Sequence, residues 1–215
     1  MKKSLIALCM VSAVVMATPT TQIWNPATDV QAAGTYHIGM DNYANFVGNG
    51  SYMGPTDIGL TYGVLPGLEV GIDANMPGSE AFGASAKYAT NESDKLPALA
   101  LGIQGVGNLG GTIGMNMIYG LAAKTFPLGR ISAGLFSGAE AVLGTDKTGY
   151  ILTYDKALND KVWVSVDFAS GKSVYGMLWV GGSYAFTSNT SVLVAVGAAN
   201  AGGPAQLTTQ LDINI

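Results

Sequence analysis

From Tyr36 onward, apolar residues alternate with polar or small ones at a period of two, the pattern of strands whose two faces meet different surroundings. Along Thr56–Leu65 the apolar places are Ile58, Leu60, Tyr62 and Val64, and along Leu68–Asn75 they are Leu68, Val70 and Ile72. Leu99, Leu101 and Ile103 repeat the rule, as do Val162, Val164, Val166 and Phe168. About twelve such segments can be marked, from Tyr36–Tyr43 to Gln206–Ile215, including Asn116–Thr125 and Val174–Phe186. The connections alternate as well. Pro66-Gly67, Phe126–Gly129, Lys156–Asp160 and Thr187–Asn189 carry tight-turn residues, whereas Asn45–Gly54, Gly107–Gly114, Gly138–Thr148 and Ala201–Pro204 are longer and glycine-rich. Ala169–Ser173 stands out as short where a long loop is due. The pattern predicts an all-β fold, an antiparallel transmembrane β-barrel of about 12 strands with short turns at one end and loops at the other.

Charge placement sharpens this. By strand parity Asp41, Asp57, Glu69, Asp73, Lys87, Lys124, Arg130, Asp155, Asp167 and Asp212 all fall on the face opposite the apolar rows. A soluble β-sandwich shows the same alternation, with the apolar face in its core. Composition argues against the sandwich: the chain is 48% hydrophobic and only 11% charged, about half the charge of an ordinary soluble domain. Aromatics toward the strand ends (Tyr36, Tyr62, Tyr88, Tyr119, Phe168, Tyr184, Phe186) suit girdles at two membrane interfaces. The ten charged residues are therefore expected to line a lumen. They share that face with Gly59, Thr61, Gly63, Gly71, Gly120 and Ala122, small side chains that predict a narrow open pore. Asp212, Asp41, Asp57, Glu69 and Asp73 fall on one arc and Lys87, Lys124 and Arg130 farther round, which predicts a transverse field and mild cation preference.

The chain opens with Lys2-Lys3, an apolar run from Leu5 to Met16, and a small-residue cleavage site at Ala17, so residues 1–17 read as a signal peptide. Its apolar run is too short for a bilayer span of roughly 20 residues, and no later run is long enough either. Cleavage removes Cys9, the only cysteine, together with two lysines, and moves the net charge from -4 to -6, which makes nucleic acid an improbable partner. Residues 18–34 form an N-terminal segment in which Thr20–Gln31, with Trp24, is expected to act as a plug or a periplasmic extension; residues 35–215 form the barrel. The last strand, Leu207–Ile215, has apolar residues at alternate places up to its end. It resembles the C-terminal assembly signal of bacterial outer-membrane proteins, with Ile215 where the usual final aromatic stands. Together with the signal peptide, the strand rhythm, Thr21–Pro26 and the hairpin Pro55–Pro77, it makes the chain similar to small porin-like outer-membrane barrels. That resemblance implies an outer-membrane location, contact with outer-membrane lipid, and recognition of the last strand by the barrel-assembly machinery. It implies no activity.

Candidate chemistry is sparse. His37 is the only histidine and has no nucleophile motif beside it, so no catalytic residue and no enzyme activity are expected. Asp57, Glu69 and Asp73 are spread over a sheet face and lack the tight loop a calcium site needs. Ser170-Gly171-Lys172-Ser173 echoes a phosphate-binding loop without its first glycine and reads as a turn. Trp163 and Trp179 fall inward, positions suited to filling space or to stacking against a sugar. No metal or cofactor is expected. The function expected is passive diffusion of ions or small polar solutes; the alternative is a non-conducting structural or partner-binding barrel.

Overall fold

The computed structural model describes residues 20–45, 53–76, 82–109 and 112–215. The expected signal peptide lies outside these residues. Among them twelve strands run in sequence: β1 (Tyr36–Asn45), β2 (Met53–Leu65), β3 (Leu68–Met76), β4 (Phe82–Thr90), β5 (Ala98–Leu109), β6 (Thr112–Phe126), β7 (Gly129–Ser137), β8 (Thr148–Ala157), β9 (Val162–Ala169), β10 (Met177–Ala185), β11 (Thr190–Ala199) and β12 (Gln206–Asn214). Each pairs antiparallel with its neighbours in sequence, and β1 pairs β12 to close the barrel. Closure removes every sheet edge, the one way a sheet can satisfy its backbone in hydrocarbon. A single helical turn, α1 (Glu140–Leu143), sits in the β7–β8 connection.

Turn chemistry works as the sequence implies. Gly67 adopts φ +82 between β2 and β3, a conformation that favours glycine. The β9–β10 connection is not an exception to the rhythm. β10 starts at Met177, so residues 170–176 form a seven-residue loop, held by Asn200 Nδ2 donating to the carbonyls of Ala169 (2.8 Å) and Gly171 (2.9 Å). The loop expected over Gly107–Gly114 is taken up largely by β5 and β6, whose pairing continues to Leu109 and Thr112.

The outward rows are apolar and exposed, among them Leu60, Ile72, Leu101, Leu135, Leu152, Val180 and Val194. Such a continuous apolar exterior calls for hydrocarbon rather than water. Tyr36, Tyr88, Tyr150, Tyr184 and Phe186 stand among them. On β6 the facing differs from the parity reading. Tyr119, Leu121 and Ala123 point into the barrel and are buried, whereas Gly120, Ala122 and Lys124 lie on the outer rows opposite Leu101, Leu99 and the exposed Ile131.

Candidate functional site

The lumen is occupied over part of its section by the segment preceding β1. Its tip is a closed turn: Thr21 and Pro26 form a β-bridge, Gln22 N donates to Asn25 O (2.8 Å), and Ala27 N donates to Thr20 O (3.0 Å). Gln22, Ile23, Asn25, Ala27, Thr28 and Gln31 are buried. The segment reaches opposite walls. On one side Lys87 Nζ of β4 donates to Thr20 O (3.0 Å), and Gln31 N donates to Glu69 Oε2 of β3 (2.6 Å). On the other, Arg130 of β7 pairs with Asp29 (2.6 Å), Gln22 Nε2 donates to Asp155 Oδ1 of β8 (3.1 Å), and Gln210 Nε2 of β12 donates to Ile23 O (2.8 Å). Asp167 of β9 takes the most: its Oδ2 accepts the backbone N–H groups of Ile23 (3.1 Å), Trp24 (2.7 Å) and Asn25 (2.9 Å), and its Oδ1 accepts Asn25 Nδ2. Three consecutive N–H groups converging on one oxygen form an anion nest, the backbone's way of holding a buried carboxylate.

Apolar contacts complete the docking. Ile23 packs with Trp163, Met177, Trp179, Leu193 and Ala195, while Trp24 lies 5.1 Å from the Tyr43 ring, 5.9 Å from Tyr175 and 6.1 Å from Trp179. The segment from Thr20 on thus packs against inward-facing residues of the barrel wall.

Beside the segment remains a cavity of about 610 Å³ against the β1–β5 wall. Barrel register puts four carboxylates there in two rows. Asp41 and Asp57 are direct cross-strand partners, and Asp212 and Asp73 flank Gly39 and Gly59 on the adjoining row. A Cβ on Gly59 would stand 2.7 Å from Asp73 Oδ1, so the missing side chain is what lets that carboxylate lie across the wall. Tyr43 OH reaches Asp41 Oδ2 (3.4 Å), and His37 Nε2 reaches Asp212 Oδ1 (3.4 Å) with its Nδ1 on Asn214 Oδ1 (3.2 Å). Among the described residues no lysine or arginine comes within ion-pair range of Asp41, Asp57 or Asp73.

The ten residues expected to line a pore thus divide. Asp41, Asp57, Asp73 and Asp212 line the cavity. Glu69 and Lys87 also border it but pair with each other (3.1 Å) and with the segment. Arg130, Asp155 and Asp167 face inward yet are spent on the segment, with Arg130 Nε also on Asp155 Oδ1 (3.0 Å). The inward bases are therefore neutralised locally, and the opposed arcs of charge expected from sequence do not form.

Lys124 does not line the lumen at all. Its outward parity places it at the short-turn end, on Glu92 (3.0 Å) and the carbonyl of Ser93 (2.7 Å). Slight desolvation pulls the Glu92 carboxyl up, but the N–H and O–H of Thr125 and the Lys124 ammonium outweigh it and hold its pKa below the ordinary glutamate value. Sequence reading missed the segment's own polar groups, Gln22, Asn25, Asp29 and Gln31. Their clustering in a short stretch just before the first strand was the one available signal.

No protein-family model matches the chain, and no curated protein matches it. Solved structures do. The structure titled KdgM porin superposes with a TM-score of 0.57 over 82% of this chain and 98% of its own, at 11% identity. The chain has the fold of a small porin. A second structure, titled KdgM porin in complex with disordered oligogalacturonate, gives a TM-score of 0.56 over 83% and 97% of the two chains at 12% identity. At that identity the porin fold is what is shared.

Proposed function

We propose that this porin-fold barrel is an outer-membrane channel for passive diffusion of ions and small polar solutes, that it prefers cations, and that the path runs along the carboxylate wall beside the N-terminal segment. One observation carries the reading: the cavity faces Asp41, Asp57, Asp73 and Asp212, while of the bases that border it Lys87 is paired with Glu69 and Lys172 stands exposed in the β9–β10 loop, and the inward Arg130 is paired with Asp155 and Asp29. Fixed carboxylates along a narrow aqueous path raise the local concentration of cations and oppose anions. The apolar exterior and girdle aromatics support the membrane setting. Oligogalacturonate, named with one of the similar structures, is a polyanion, and this wall would repel it. The solutes that suit this path are small and cationic or neutral.

Refolded protein in a planar bilayer under a salt gradient is expected to conduct steadily, with a reversal potential of cationic sign. Replacing both Asp57 and Asp73 by asparagine is expected to move that potential toward zero. A folded barrel that never conducts, or a double variant with unchanged reversal potential, would refute the reading.

A further inference from the structure

We propose that Asp167 is the latch of a gate: it holds the turn Thr20–Ala27 in a socket on the β8–β12 wall, and releasing that turn widens the lumen. The inference rests on the channel reading above and goes beyond it, because it assigns the segment a docked and a released state.

Four observations converge. First, the barrel's hydrogen-bonded ladder is complete without the segment, so undocking breaks no strand pair. Second, the turn is closed by its own bonds and can leave the wall as a unit. Third, Asp167 is fully buried and its hydrogen bonds all come from Ile23, Trp24 and Asn25, so the carboxylate is there for the segment. Its lumen position lets water take over those bonds once the turn has gone, which makes release far less costly than stranding a charge in an apolar core. Fourth, the stem of the segment is tied to β2 independently of the turn: Ala33 bridges Gly63, and Gly34 N donates to Gly63 O (2.8 Å). The turn can therefore leave its socket while the stem stays anchored beside β1.

The energetic weight lies in the charge. Bonds to an ionised acceptor are about twice as strong as neutral ones, and each one lost shifts a docked-to-released ratio by about tenfold. Ile23 and Trp24 contribute apolar contact area, but Asp167 alone fixes three consecutive backbone groups and therefore the turn's orientation.

The test pairs conductance with chemical accessibility. In a Cys9→Ser background, Thr28→Cys places the one thiol at a site that is 4% exposed and whose hydroxyl makes no hydrogen bond. With Asp167 intact, a small water-soluble maleimide is expected to label it slowly. Adding Asp167→Asn is expected to speed labelling by about tenfold or more and to raise single-channel conductance. Where Asp167→Asn fails to fold, Asn25→Ala removes a donor to the same carboxylate without touching the wall. Unchanged thiol protection in a folded variant overturns the latch. Faster labelling with an unchanged, measurable conductance overturns the widening and leaves the channel reading standing, whereas faster labelling in a barrel that never conducts overturns the channel reading, so the two failures are separable.

Discussion

Gly59 and Gly63 occupy inward positions four residues apart on one strand and are small for different reasons. At Gly59 an added Cβ would meet the end of the Asp73 side chain, which can turn aside; at Gly63 it would run into the backbone carbonyl of Ala32, which cannot. Gly63→Ala is therefore expected to cost about 1–3 kcal/mol, the usual range for forcing extra volume into a packed site, read as a lower midpoint in urea unfolding. Lys124 teaches the opposite lesson. It was the one charge whose facing the sequence misled on. It stands at a strand end, where a long side chain reaches the polar turn from the outer row. Lys124→Gln is expected to leave ion selectivity unchanged and to alter stability by less than about 1 kcal/mol, as for other exposed pairs. The same reversal-potential measurement that tracks Asp57 and Asp73 checks it.

The strands were legible wherever their two faces meet different media. β2, β3 and β9 alternate cleanly because one row meets hydrocarbon and the other meets water or polar groups. On such a strand the outward rule is strict, and Ile72→Arg, midway along β3, is expected to destabilise the barrel by about 2–4 kcal/mol in a lipid-vesicle folding titration. Parity failed on β6 because its inward row is also apolar: Met117, Tyr119 and Leu121 belong to the same cluster as Phe136, Ile151 and Tyr175, against which the segment's Trp24 and Val30 pack. With both faces apolar, hydrophobicity no longer says which side is in, and only the paired register settles it. Gly120 and Ala122, inward by parity, lie outward for the same reason.

At the scale of the whole molecule, the twelve-stranded closed sheet followed from rhythm, turn length and charge scarcity. The division of the lumen did not. Most of the contacts that create it join positions more than a hundred residues apart, such as Ile23 with Asp167 and with Gln210, and no local pattern announces them. They leave a cavity with one strongly acidic wall, and this shape makes a prediction about screening. Raising salt from 0.1 M to 1 M shortens the Debye length from about 10 Å to about 3 Å. Cation preference is then expected to shrink at a constant salt ratio across the bilayer, as read from reversal potentials; a preference unaffected by ionic strength would point to a size filter.

The turn lies before the first strand, yet one of its carbonyls is held by the last, 187 residues away. The two ends of the chain thus meet twice, once through the β1–β12 ladder and once across the lumen. The docked segment is a strut, spanning the ring from Lys87 of β4 to Gln210 of β12 and bracing the wall from within.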